Sequence, residues 1–189
     1  VFNIQEMINA FDVKNINKSS AKFDLEKLEW LNQQHLSNGN NSELTDFLKL
    51  NTSLKEFPPA KTIDSFIDTY KSRVNNLNEL VDHFNTLYAE DFKVEDSAAE
   101  KFLKQEILVP FQDLLEMLEQ VEWNTKSINQ SVKSACEKHD IGFGKIGQPL
   151  RVAITGGTES PSIDLTMTLL DREIVISRIK KAIEYISNQ

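Results

Sequence analysis

The 189-residue chain is poor in the residues that most often announce chemistry, with one cysteine, three histidines and six glycines. A lone Cys136 cannot form a disulfide within the chain and suits a reducing compartment. His35, His83, His139 and Cys136 stand too far apart for zinc-ligand spacing, so no metal site is expected. Long apolar runs are missing too: "IVI" at 174–176 is typical, far below the roughly 20 apolar residues of a membrane span. The opening "VFNIQEMINAF" lacks the basic start and apolar stretch of a secretory signal. A cytoplasmic chain without a membrane partner is therefore expected. Positive charge is also short, with 21 Lys and Arg against 29 Asp and Glu and a net charge of −8. That balance disfavours broad, non-specific nucleic-acid binding, which depends on neutralising phosphates. The deficit is uneven, however. Residues 141–189 set Lys145, Arg151, Arg172, Arg178, Lys180 and Lys181 against Glu159, Asp164, Asp171, Glu173 and Glu184. An acidic body with a near-neutral end can still bind one nucleic acid through a few placed contacts.

What the chain does have is helical periodicity. Hydrophobic residues make up 40% and charged residues 26%, a composition that builds a globular core and excludes a disordered chain. Asn3 and Glu6 form a capping-box pair ahead of Ile4, Met7, Ile8 and Phe11 at helical spacing. With no methionine at Val1 and a helix almost at once, the chain reads as a segment of something longer. A second helix begins at Asp24, with Leu25, Leu28, Trp30 and Leu31 as its apolar side. "SNGNNSE" is a loop ending in a cap at Ser42, and "EFPPAKT" breaks the chain again. Helices follow from Thr62 (Ile63, Phe66, Ile67, Tyr70, Val74) and through Leu77, Leu80, Val81, Phe84 and Leu87. Periodicity stops near "EDFKVEDS", the main internal boundary. Beyond it helices are expected at 96–105, 109–121, 125–138 (capped by Asn124), 146–155, 162–170 and 171–187. "RVAIT" and "EIVIS" are β-prone but too short and isolated to build a sheet. The expectation is all-α, about ten helices in two consecutive bundles, with no short repeat.

"GFGKIG" (142–147) resembles a dinucleotide-binding loop, which would make the chain an enzyme. Such a loop needs a strand before its first glycine and an unbroken helix after its last. "SVKSACEKHD" is helical in character, and Pro149 fits only the first turn of a helix. The glycines read instead as punctuation, Gly142 ending a helix in the left-handed conformation and Gly144 and Gly147 permitting close packing. No other chemistry stands out. The three histidines read as surface or cap residues, Cys136 as a small helix-face residue, and the carboxylates as solvated faces, so no catalytic residue is assigned. From the residues alone, Arg151 reads as equally at home in a surface salt bridge and Pro161 as a helix start.

Three stretches go further than periodicity. "FDLEKLEWLNQQHL" (23–36), "LYAEDF" (87–92) and "EW" (122–123) followed by "GKIGQPLRVAITGGTESPSIDLTMTLLDREIVISRI" resemble, in order, the carboxy-terminal region of bacterial glutamyl-tRNA synthetases. The resemblance covers essentially the whole chain. It implies an anticodon-binding part of class I synthetase type, divided into a stem-contact end (1–36), a first helical subdomain (37–94) and a second (95–189). It implies the anticodon arm of glutamate tRNA as partner, a monomer, and no cofactor of its own, ATP and Mg belonging to a catalytic domain outside this chain. The HIGH-like and KMSKS-like motifs of that domain do not occur here, so no activity is expected of the chain alone. In "YKSRVNNL" the resemblance assigns Arg73 to an anticodon base, the cytosine at the third position. The family's enzymes that also accept glutamine tRNA tend to lack this arginine, so Arg73 implies discrimination. "QPLR" gives Arg151, and "SPSI" gives Pro161 and Ile163, as contacts to the other bases. Ser162 and Ile163 replace the glycine and leucine common there, which puts side-chain packing of Ile163 on a base in doubt. On charge alone, Lys145, Arg172, Lys180 and Lys181 are candidate phosphate contacts, which position RNA without specifying it. The competing expectation is a helical protein-interaction module that does not bind tRNA.

Overall fold

The computed structural model describes residues 1–16, 19–20, 22–52 and 54–189. Among them are eleven α-helices and no strand, which meets the all-α expectation. In chain order they are α1 (Ile4–Ala10), α2 (Leu25–Ser37), α3 (Asn41–Asn51), α4 (Ala60–Tyr70), α5 (Leu77–Tyr88), α6 (Asp96–Phe102), α7 (Leu108–Gln120), α8 (Thr125–Lys138), α9 (Phe143–Thr155), α10 (Ile163–Thr168) and α11 (Arg172–Ser187). Both β-prone strings are helical, "RVAIT" closing α9 and "EIVIS" opening α11. Tertiary burial decides there, since Val152, Ile154 and Val175 are wholly enclosed.

Short polar side chains set where the helices start. Asn3, Asp24, Asn40, Asn76 and Asn124 each accept a backbone N–H of the first turn, a contact worth about 1 kcal/mol. The Asn3–Glu6 capping box is complete. Ser42 is not the cap of α3; Asn40 is, and it accepts from Ser42 N. Helix α4 begins at Ala60, directly after Pro59, because proline suits a helix entrance.

The glycine stretch departs most from expectation. Helix α8 ends at Lys138, and Asp140, not Gly142, takes the left-handed conformation (φ 49°). Gly142 caps α9, which starts three residues earlier than expected and carries Gly144, Gly147 and Pro149 inside it. Gly144 faces open space, whereas a Cβ on Gly147 would lie 3.0 Å from the Phe143 ring folded over it. Pro149 is buried in mid-helix, where its missing N–H leaves the Lys145 carbonyl without its helical donor.

Helices α3, α4 and α5 pack on one another, as do α6 to α11, and a continuous core joins the two groups. Phe66, Phe84 and Phe111 are fully enclosed, each burial contributing about 1.5–3 kcal/mol. Helix α1 contributes nothing to this core: Ile4, Met7, Ile8 and Phe11 are all exposed, as are Leu25, Leu28 and Trp30 of α2. Their stripes are apolar as expected, but no described residue covers them.

The two groups are joined by side-chain donors on helix carbonyls. Arg178 of α11 is 6% exposed and donates through Nη1 to Ile154 O (2.5 Å) and through Nη2 to Leu87 O (2.8 Å). Its guanidinium lies 3.7 Å from the centre of the Phe92 ring. Both acceptors belong to the last turns of α9 and α5, where carbonyls lack helical partners and the helix dipole is negative. Burial pushes the Arg178 pKa down to about 10, so it remains charged at neutral pH. Tyr88 adds a hydrogen bond to Leu169 O (2.9 Å), and Glu95 N donates to Gly156 O (2.9 Å). Gly156 is left-handed (φ 81°), and a Cβ there would meet Lys93 O at 2.5 Å, so only glycine lets the linker pass this close.

Arg178→Leu strands two buried carbonyls and is expected to cost about 2–4 kcal/mol of stability, read by thermal and urea unfolding. A second expectation concerns acid. Asp113 of α7 meets Lys138 Nζ (2.9 Å) and His139 Nε2 (2.6 Å) at the end of α8, and these hydrogen bonds hold its pKa below the ordinary 3.8. A depressed carboxylate stabilises the fold above the ordinary value, and that contribution is lost as pH falls through the lower, folded value. Asp113→Asn should flatten the acid limb of a stability–pH profile; an unchanged limb would contradict this.

Candidate nucleic-acid interface

Tyr70, the last residue of α4, is the hinge of the site. Its ring stacks on Phe66 (centroids 4.4 Å apart) and meets the His83 ring of α5 at 5.0 Å. The chain then turns tightly, Arg73 N donating to Tyr70 O (2.8 Å), and this turn presents the Arg73 side chain to solvent. Arg73 makes no side-chain hydrogen bond or ion pair among the described residues.

Arg151 reaches the same place from α9. Its Nη1 donates weakly to Ser160 O (3.3 Å), while its Nε is buried with no partner. Burial pushes the Tyr70 pKa up to about 12, and the positive charges of Arg73 and then Arg151 oppose that rise. The two arginines, far apart in sequence, thus both act electrostatically on one tyrosine side chain. Arg73, exposed and without a side-chain partner among the described residues, is the guanidinium with donors open to base edges or phosphates.

The loop after α9 is fastened back onto its helix. Thr155 Oγ1 lies 2.9 Å from Arg151 O and 3.3 Å from Gly157 O, and Gln148 Nε2 donates to Thr158 O (2.9 Å). Pro161 and Ile163 are both buried, Ile163 at 3% exposure, so the Ile163 side chain packs in the core and leaves only backbone groups for an RNA. The four candidate phosphate contacts do not gather there. Arg172 donates to Glu119 O (3.3 Å) and Val121 O at the end of α7 and lies over Trp123. Lys180 pairs with Glu119 (3.2 Å). Lys145 and Lys181 are exposed, the latter beside Arg178 at the joint.

Elsewhere the structure offers little chemistry. Among the described residues no group of three or more His, Cys, Asp or Glu is placed to hold a metal ion, and no helix is long and apolar enough to cross a membrane. Cys136 is buried, which pushes its thiol pKa up. His139 is a cap residue whose partner, Asp113, was invisible to sequence spacing.

A profile of the anticodon binding domain family matches residues 29–183. The chain belongs to this anticodon-binding domain family. It is similar to glutamate–tRNA ligase 1 of Alkalilimnicola ehrlichii, 34% identical over 194 residues that take in 100% of this chain and 41% of that relative. Two solved structures share its shape. A glutamate tRNA ligase of Elizabethkingia meningosepticum, in complex with its amino acid, superposes with a TM-score of 0.84 at 27% identity, covering 96% of this chain and 36% of that one. A glutamate-tRNA synthetase of Elizabethkingia anophelis gives a TM-score of 0.77 at 26% identity, covering 95% and 36%. The resemblance to glutamyl-tRNA synthetases read from the sequence is thus met, and the chain spans about two fifths of the curated relative.

Two residues of this anticodon-binding domain escaped the sequence reading. Tyr70 read only as helix core and His83 only as a surface histidine. The available signal was register: Tyr70 ends a helix three residues before Arg73, so one tight turn carries both. Tyrosinate absorbance removed by Tyr70→Phe should therefore arise only near pH 12, as ultraviolet difference titration would show. Arg73→Gln or Arg151→Ala should move it higher still, because each takes away a charge that favours tyrosinate. A transition that stays put would mean the guanidiniums do not face the hydroxyl.

Proposed function

We propose that the chain grips the anticodon arm of glutamate tRNA and so positions that tRNA for ATP-dependent glutamylation by a catalytic domain elsewhere in the same protein. One observation carries the reading: Arg73, exposed and without a side-chain partner among the described residues, and Arg151, from the other side of the joint, both act electrostatically on Tyr70. Anticodon bases are unstacked and present edges and faces, which proteins read by hydrogen bonding and stacking. A guanidinium offers two parallel donors to such an edge, and a wrong base costs about 1–3 kcal/mol by analogy with DNA readout. Arg73 is assigned the third anticodon base, and with it the exclusion of glutamine tRNA. Arg151 and the backbone at Pro161 and Ile163 are assigned the others, with Lys145 and Lys181 as candidate phosphate contacts. The net charge of −8 fits selective rather than general RNA binding. The chain supplies no cofactor, ATP and Mg acting in the catalytic part, and it works as a monomer in the cytoplasm.

A second reading, a helical protein-interaction module, draws on the exposed apolar side chains of α1 and α2, Phe11 and Trp30 among them. RNA binding separates the two. Affinity for glutamate tRNA transcripts should depend on the anticodon, and Arg73→Gln or Arg151→Ala should each weaken it about tenfold or more. Arg73→Gln should also erase discrimination at the third base. Binding indifferent to every anticodon base at low and physiological salt would leave only the interaction module.

A further inference from the structure

The turn that carries Arg73 is fastened on both sides of that residue. Lys71, the cap of α4, donates through Nζ to Asn41 Oδ1 of α3 (2.9 Å) and pairs with Asp68 Oδ1 (3.1 Å). Asn41 Nδ2 donates to the same Asp68 oxygen (3.0 Å), which closes a ring of three side chains. The next residue, Ser72, has its carbonyl held from α2 by Gln33 Nε2 (3.3 Å). Beyond Arg73, Val74 is wholly enclosed, and Asn75 N donates to Glu79 Oε2 of α5 (2.8 Å). Arg73 is thus an exposed side chain on a backbone tied to four helices. We propose that Gln33, Asn41, Asp68 and Lys71 are positioning residues for Arg73, and that Lys71 braces the turn instead of contacting RNA. The inference rests on the tRNA reading above and adds to it what holds the arginine's turn in place.

A lysine two residues from an arginine that meets RNA would ordinarily count as a phosphate contact. Here the ammonium is already engaged. Asn41 and Asp68 occupy two of its three donors, and its side chain is only 21% exposed. Hydrogen bonds from Asn41 and Lys71 hold the Asp68 pKa below the ordinary 3.8, so a charged carboxylate offsets the lysine at neutral pH. Folding stability does not explain the ring. The Asp68 side chain is 61% exposed, and ion pairs so well solvated contribute little. What the ring does fix is the backbone. A held turn spares RNA binding the cost of ordering it. Discrimination between bases also needs donors within about 0.5 Å of the productive geometry, a tolerance that a loose turn cannot keep.

The test measures the affinity of glutamate tRNA transcripts, with the native anticodon and with each base changed, at several salt concentrations. Arg73→Gln serves as reference and marks the base whose discrimination depends on Arg73. Asn41→Ala, Gln33→Ala and Lys71→Met should each reduce discrimination at that base severalfold, while the thermal unfolding midpoint stays near that of the unmodified chain. Lys71→Arg, which keeps donors for Asn41 and Asp68, should preserve it. Salt separates a brace from a contact, because each lost phosphate contact lowers the slope of log affinity against log salt by about 0.7–0.9. Lys71→Met should leave that slope unchanged. A slope lowered by one contact assigns Lys71 to a phosphate and overturns the brace. Full discrimination in Asn41→Ala and Gln33→Ala, with Arg73→Gln still erasing it, overturns the inference and leaves the tRNA reading standing. Discrimination lost only together with a large fall in the unfolding midpoint also overturns it, since a purely structural role predicts that. If Arg73→Gln changes no base preference, or the unmodified chain binds no transcript at any salt concentration, the tRNA reading fails and the inference with it.

Discussion

A buried guanidinium anchors the joint between the two helical groups, on top of the core they share. Arg178 spans the ends of α5 and α9 and lies against Phe92 of the linker, so three segments meet on one side chain. Burying a cation is costly, and no carboxylate offsets the cost here. What offsets it are two carbonyls that would otherwise be orphaned at helix ends, where the dipoles favour positive charge. The same logic recurs nearby: Arg172 covers the end of α7, and Trp123 and Tyr88 donate to the carbonyls of Leu170 and Leu169. Helix C-termini turned inward are liabilities, and each is satisfied by a long donor from a neighbouring element.

That construction gives the recognition surface its shape. Arg73 rides on the turn after α4 and Arg151 on α9, so their relative placement follows from how the two helical groups join. The charges of both bear on Tyr70, whose ring is stacked on Phe66.

Much of the fold was legible because helices are local. Asn3, Asp24 and Asn124 mark their helix starts, and the spacing of Ile63, Phe66, Ile67 and Tyr70 marks the buried face of α4. Glycine and proline misled in α9, where packing of Phe143 on Gly147 and burial of Pro149 override the usual preferences. The site was half legible. Arg73 and Arg151 came from resemblance, whereas their shared electrostatic effect on Tyr70 arises from tertiary structure that no spacing encodes. Arg178 counted in the sequence only as one of the basic residues of 141–189, and only the fold shows it enclosed. Arg172 and Lys180 were chosen for charge, and charge alone cannot tell a cation that meets solvent from one already engaged with Glu119.

The claim that the joint makes one rigid body of two helical groups is tested most directly by a distance across it. Spin labels placed through Lys49→Cys on α3 and Lys133→Cys on α8, in a Cys136→Ser background, would report it by pulsed electron resonance. The account expects one narrow distance distribution that broadens when Arg178→Leu is added. A distribution already broad with Arg178 in place, or one that Arg178→Leu leaves unchanged, would contradict it.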